Sequence, residues 1–250
     1  MIRKVVFLRH GQSVWNKENK FTGWADVDLS PQGEQEARKA GQLLSKAGLT
    51  FDYSYCSVLK RAIKTLWLSL EELNIHWIPQ ELSWRLNERH YGALEGLDKI
   101  ETAKNYGTSK VGKWRRSFDT PPPELPEGDV RIPKKDSRYK TIDPNVLPKT
   151  ECLKDTIDRV LPFWQNVIVP RALNNERLLI VSHGNTLRGL IKEIDGISEN
   201  EIVNLNIPTG LPLVYEFEND MRPVTNYYLG DPEEAKLAAE KVANQSKFDE

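Results

Sequence analysis

Four histidines occur in this 250-residue chain: His10, His76, His90 and His183. A lone histidine is more often structural than catalytic. His10 and His183 differ from the other two because each precedes a glycine, Gly11 and Gly184. Glycine lets the backbone turn sharply and approach a ligand closely. A neutral imidazole nitrogen is a competent nucleophile near pH 7 and can carry a phosphoryl group transiently. Arg9 and Arg61 offer planar, permanently charged forks suited to phosphate. A phosphoryl group in transfer spreads negative charge over its oxygens, so its chemistry rests mostly on positioning and fixed positive charge.

The elements that would position these residues alternate. Val5-Val6-Phe7-Leu8 reads as a buried parallel strand ending at Arg9-His10. Ser30 as N-cap and Pro31 at the first helical position open a helix, with Ala37, Ala40, Leu43, Leu44 and Ala47 at helical spacing and Gly48 as its stop. Phe51 to Cys56 reads as a second strand. A helix from Val58 to about Leu73 follows, with Ile63, Leu66, Trp67 and Leu70 as its apolar face. A further strand is expected around Trp77-Ile78. Leu178 to Val181 is the clearest strand; it ends at Ser182-His183-Gly184 and leads into a helix from Thr186 to Ile194. Leu213 to Phe217 is another strand. Strands alternating with amphipathic helices predict a three-layer α/β/α fold with a mostly parallel central sheet. In such sheets ligands bind beyond the carboxyl ends of the strands, where both His10 and His183 fall.

Arg9-His10-Gly11 alone is a weak signal, but its surroundings are specific. Gln12-Ser13, Trp15-Asn16-Lys17-Glu18-Asn19, Phe21-Thr22-Gly23-Trp24, Asp28 and Leu29-Ser30 follow it. Further blocks are Ser57 to Ala62, Trp84 to Gly92, Gly96 to Lys99, Trp114 to Ser117, Thr150 to Leu153, Ser182 to Arg188 and Asn206 to Gly210. Together these resemble the histidine phosphatase superfamily and, within it, the 2,3-bisphosphoglycerate-dependent phosphoglycerate mutases. The resemblance is collinear over nearly the whole chain. It implies one phosphoglycerate mutase-like domain over residues 1–250, with a Pro-rich loop at 119–150 and a mobile tail at 231–250.

The resemblance also implies roles. His10 is the nucleophile, and Arg9, Arg61 and His183 line the reacting phosphate. Glu88 matches the proton donor; a carboxyl acting as an acid near neutral pH needs a pKa raised to about 6–7. Lys99, Arg115 and Arg116 match the positions that hold the substrate's second anionic end. Ser13, Asn16, Thr22, Gly23 and Tyr91 are expected as neutral donors there, and Gly184 and Asn185 as further substrate contacts. His90 is expected to be structural support beside Glu88. The implied reaction interconverts 2-phosphoglycerate and 3-phosphoglycerate in glycolysis and gluconeogenesis, with 2,3-bisphosphoglycerate as the primer that loads His10 and no metal. The alternatives are a bisphosphoglycerate synthase or a phosphatase of the same superfamily. A non-catalytic scaffold should have lost one of Arg9, His10, Arg61, Glu88 or His183, and none is lost. Gln12 stands where many members carry Glu, and Val130 to Tyr139 is the stretch least like the family.

Composition limits the rest. Hydrophobic residues make up 39% and charged residues 28%, a globular balance that argues against wholesale disorder. A formal net charge of −1 disfavours a general nucleic-acid binder, so any anion site must be a local cluster of Arg and Lys. No stretch approaches the ~20 apolar residues of a membrane helix, and the N-terminal apolar run is too short for a signal-peptide core. Two distant cysteines, Cys56 and Cys152, fit a reducing cytoplasm. The expected partners are a small anionic substrate and a second copy of the chain, as a homodimer or homotetramer. The segment from Asp119 to Pro148 holds seven prolines and no helical or strand period. It reads equally as an exposed insert and as a lid or subunit contact. The tail from Asp231 is expected to form a short exposed helix.

Overall fold

Apolar strand residues alternate between two covered faces, which fixes the architecture. The computed structural model describes residues 2–244. In β1 (Arg3–Arg9) the four residues Val5, Val6, Phe7 and Leu8 are all fully buried. Val5 and Phe7 pack on one face with Tyr55, Ile180 and Tyr215, beneath Val160, Phe163, Trp164, Leu187 and Leu190. Val6 and Leu8 pack on the other with Cys56, Val181 and Val214, beneath Ala40, Leu44, Ala62, Leu66 and Leu70. Side chains one residue apart point to opposite faces of a strand, so burial on both faces requires helices on both sides. The three-layer α/β/α expectation is met.

Around β1 the chain adds α1 (Val14–Lys17), α2 (Pro31–Lys46), β2 (Tyr53–Cys56), α3 (Lys60–Leu73), β3 (Gln80–Leu82), α4 (Lys99–Tyr106) and α5 (Thr108–Arg116). Then come α6 (Leu153–Phe163), α7 (Val169–Leu173), β4 (Leu178–Ser182), α8 (Gly184–Asp195), β5 (Pro212–Phe217), β6 (Pro223–Tyr228) and α9 (Pro232–Asn244). The sheet order is β3-β2-β4-β1-β5-β6. β3, β2, β4 and β1 run parallel, β5 pairs antiparallel to β1, and β6 pairs antiparallel to β5. The start of α2 is the one its sequence signals: Ser30 Oγ accepts the Gly33 amide at 3.1 Å, and Pro31 needs no partner for an amide it lacks.

Several expectations need correction. The strand expected around Trp77-Ile78 lies at Gln80–Leu82, because Ile75 to Ile78 closes a turn and Trp77 is 77% exposed. Trp67 is not core: it projects from α3 at 55% exposure, its indole donating to Gln80. α3 itself begins at Lys60 rather than Val58. β6, α4 and α5 lack a clear apolar period, so local pattern does not mark them. The Pro-rich segment, as expected, holds no α-helix or strand, only 3₁₀ turns at Pro133–Lys135, Ser137–Tyr139 and Pro144–Val146. It is a chain of short turns pinned by buried Leu125, Ile132, Tyr139 and Leu147. The tail does form a helix, α9, which is mostly exposed but buries Ala235. Residues 245–250 lie outside the described residues. Among the described residues no helix is long and apolar enough to cross a membrane.

Candidate active site

Parallel pairing of β1 with β4 sets Arg9 opposite Ser182, so the next residues, His10 and His183, emerge side by side. The His10 amide donates to the Ser182 carbonyl at 3.0 Å, and the two rings lie 4.8 Å apart between centroids. Nδ1 of His10 is 2.6 Å from the Gly11 carbonyl, an acceptor, so Nδ1 carries the proton and Nε2 keeps its lone pair. Burial, and then the nearby Arg61 and Arg9, hold His10 well below the ordinary histidine range. The ring is therefore neutral near pH 7, the form a nucleophile needs. His183 is held low in the same way, by burial and then by Arg61, and its Nε2 meets Ser57 Oγ at 2.6 Å.

Arg61 projects from the first turn of α3. Its Nε points at His10 Nε2 at 3.3 Å, while its two terminal nitrogens donate to Gly23 O at 2.7 Å and Ala25 O at 2.9 Å. Burial lowers Arg61 to about 10, which leaves it charged near neutrality. Arg9 donates to Ile207 O at 2.6 Å, and its Nε is buried with no hydrogen-bond partner among the described residues. A Cβ on Gly184 would lie 3.3 Å from the Arg9 guanidinium, so a small residue there lets Arg9 lie against the first turn of α8.

Glu88 reaches the same point from the loop before α4. Its Oε1 accepts the Asn185 amide at 3.0 Å, at the positive end of α8, and the Arg89 amide at 2.9 Å. Its backbone is clamped. Trp24 Nε1 and Arg159 both donate to Glu88 O, and Arg159 also reaches Asn87 O, Arg85 O and both oxygens of Glu151. Arg159 and Glu151 form a buried ion pair at 2.6 Å, and Glu151 accepts the His90 amide. His90 is buried and pushed by burial and Arg159 to about 3, so it is a neutral packing group.

Beyond this centre the cleft collects cations. Lys99, Arg115, Arg116, Arg188 and Lys20 line it with Arg9 and Arg61, against one carboxylate among the described residues, Glu88. Burial and then Arg115 pull Lys99 down to about 7, and burial lowers Arg115 to about 10. Arg89 holds the end of α5 by donating to Trp114 O and Arg115 O while lying over the Tyr91 ring. Arg116 donates to Asn206, and Arg188 to Asn185.

Of the residues singled out from sequence, Arg9, His10, Asn16, Thr22, Gly23, Arg61, Glu88, Tyr91, Lys99, Arg115, Arg116, Gly184 and Asn185 line this one cleft. His183 lies beside His10, fully buried. Ser13 does not line it. Its hydroxyl is fully buried and caps α1 by accepting the Asn16 amide, so it shapes the wall from behind. The sequence reading missed Ser57, Arg89, Glu151, Arg159, Arg188 and Asn206 as site residues. They lie in or near the matched blocks, but their partners are many residues away in the chain, and local pattern does not reveal such contacts. Among the described residues no group of three or more His, Cys, Asp or Glu side chains could hold a metal ion.

The chain resembles solved structures of an α-ribazole phosphatase from Shigella flexneri (20% identity, 91% of this chain and 96% of that one, TM-score 0.67) and a mycobacterial glucosyl-3-phosphoglycerate phosphatase (19%, 90% and 97%, 0.68). It also resembles YhfR of Bacillus stearothermophilus (20%, 90% and 94%, 0.67). At such identities the likeness is one of fold. The profile of one family matches residues 5–228, and the chain belongs to that family, the histidine phosphatase superfamily (branch 1).

Proposed function

We propose that this protein is a phosphoglycerate mutase that uses His10 as its phosphoryl carrier and 2,3-bisphosphoglycerate as primer. The observation that carries this reading is the second group of cations, buried Lys99 and Arg115 with half-buried Arg116, in the same cleft as His10. A simple monoester needs only the His10 end. A substrate with anions at both ends explains why several cations are taken out of water together, at a desolvation cost that a bound anion offsets.

His10 Nε2 attacks phosphorus while Arg61 and Arg9 hold the equatorial oxygens. Glu88 exchanges a proton with the substrate oxygen that gains or loses the phosphoryl group. Lys99, Arg115 and Arg116 hold the far anion and would hold that of the bisphosphate. When bound, that primer supplies the phosphoryl group that loads His10. Arg115, buried with its Nε lacking a hydrogen-bond partner among the described residues, fits such a ligand.

A second reading is a phosphatase in which water discharges phospho-His10. It is supported by the named structural neighbours, all but YhfR called phosphatases, one acting on a phosphoglycerate derivative. The mutase reading assigns α9, whose Val242 reaches the cleft, to keeping water out. Turnover of 3-phosphoglycerate, with isomer and free phosphate both measured, separates the two: isomer in excess supports the mutase, phosphate alone the phosphatase.

The protein is further proposed to work in the cytoplasm as a homodimer. Trp67, Trp77 and Leu82 are 55%, 77% and 48% exposed beside β3, which is an open sheet edge. A bare apolar edge of this kind favours a self-complementary contact.

A further inference from the structure

Behind the wall of the cleft sits a carboxyl group that the mechanism does not use. Glu95 is 5% exposed. Its Oε1 accepts the Trp24 amide at 2.7 Å and the Tyr91 amide at 3.3 Å, tying together two segments that line the cleft. Gly23 lies directly over it. A Cβ built on Gly23 would fall 2.0 Å from Glu95 Oε1, and the Gly23 carbonyl on the same turn accepts from Arg61. The carboxyl and the anion of the cleft are thus separated by one glycine turn.

The charged neighbours do not neutralise this carboxyl. His90 Nδ1 is 3.4 Å from Oε1 but already accepts the Gly92 amide, so it offers a lone pair and no proton. Arg131 donates to the Glu95 backbone carbonyl, and its guanidinium is paired with Asp129. Arg61 is committed to Gly23, Ala25 and His10. Burial raises the Glu95 carboxyl to about 7, only partly countered by the Trp24 and Tyr91 amides.

We propose that Glu95 is a positioning residue of the substrate wall that takes up a proton as an anion enters the cleft. Oε1 accepts both amides whether or not Oε2 is protonated, so the wall keeps its shape while the negative charge behind it disappears. The proton comes from solvent and no covalent bond is made or broken. The inference rests on the reading of the cleft as an anion site.

Glu95→Gln keeps the acceptor and removes the charge. The probe is inorganic sulfate, a dianion whose charge does not change over about pH 6 to 9. Calorimetric titration in two buffers of different ionisation enthalpy gives the protons taken up on binding. Lys99 gains a proton by the same logic, so the signal is the difference between the two proteins. Wild type should take up more protons at pH 8 than Glu95→Gln. The variant should bind sulfate about 2- to 10-fold more tightly than wild type at pH 8 and equally near pH 6. In wild type alone, sulfate should increase the infrared band of a buried protonated carboxyl. Equal proton uptake by the two proteins, or no growth of that band, would overturn the proposal. If neither protein binds sulfate, the anion-site reading fails and takes this proposal with it.

Discussion

Replacing Arg159 by Met should separate the structural from the catalytic task of one buried guanidinium. Arg159 donates to Glu151 and to the carbonyls of Arg85, Asn87 and Glu88. Two of those carbonyls keep other partners in the variant: Thr186 Oγ1 bonds Asn87 O, and Trp24 Nε1 bonds Glu88 O. The main loss is the counter-charge of Glu151, whose side chain is 3% exposed. Breaking a buried pair in this way costs about 3–5 kcal/mol, a large part of a typical folding stability. Adding Glu151→Gln removes the stranded charge while leaving an acceptor for the His90 amide, and should recover about 2 kcal/mol. Catalysis should not recover with it, because Glu88 has lost one of its two backbone anchors; kcat should stay roughly 10- to 100-fold down in both variants. Urea unfolding and 3-phosphoglycerate turnover read the two effects. A double variant as unstable as the single one would refute the charge argument. An unchanged kcat would refute the positioning of Glu88 by Arg159.

Other outcomes follow from the same geometry. Arg115→Ala and Arg116→Ala should each raise KM about 10-fold or more while lowering kcat less, and the effect on KM should weaken at high salt; a pure kcat loss would contradict their place at the far anion. Stability should fall below pH 6.5. His10, His90 and His183 are held neutral in the fold, so each adds a proton on unfolding below the ordinary value of 6.5. Glu95, raised to about 7 from 4.5, opposes this with one proton held by the folded state between those values. Two net protons give a slope of about 3 kcal/mol per pH unit near pH 5–6, and a urea midpoint unchanged between pH 6.5 and 5 would contradict it. Trp77→Glu with Leu82→Glu should shift the sedimentation of a dimer to that of a monomer; a wild-type monomer would remove the proposed interface. Truncation after Gly230 should raise phosphate release from 2,3-bisphosphoglycerate relative to isomerisation, and an unchanged ratio would exclude α9 as the water barrier.

Much of the fold was legible because it is written in short-range pattern. The apolar runs at Val5 to Leu8 and Leu178 to Val181 are strands buried on both faces, and their carboxyl ends locate His10 and His183. The Ser30-Pro31 start and Gly48 stop are local hydrogen-bond chemistry, and the helix obeys them. What was not legible depends on distance through space. Trp67 fits an apolar helix face by spacing, yet the sheet ends at β3 and the described residues leave it 55% exposed. Ser13 matched a substrate-contact position, but its hydroxyl is turned inward by the cap it makes. Arg159 and Glu151 carry no local sign of their task, because Glu88 lies more than sixty residues earlier in the chain. Glu95 reads as an ordinary loop carboxylate until the fold places Gly23 over it.

The most direct test of the central claim is turnover of 3-phosphoglycerate with and without added 2,3-bisphosphoglycerate, in a metal chelator, for wild type beside His10→Ala. Wild type should isomerise 3-phosphoglycerate to 2-phosphoglycerate in excess of phosphate release, with a rate that rises with the bisphosphate and vanishes in His10→Ala. Phosphate release without isomerisation would contradict the mutase reading. Isomerisation that survives in His10→Ala would contradict the role assigned to His10.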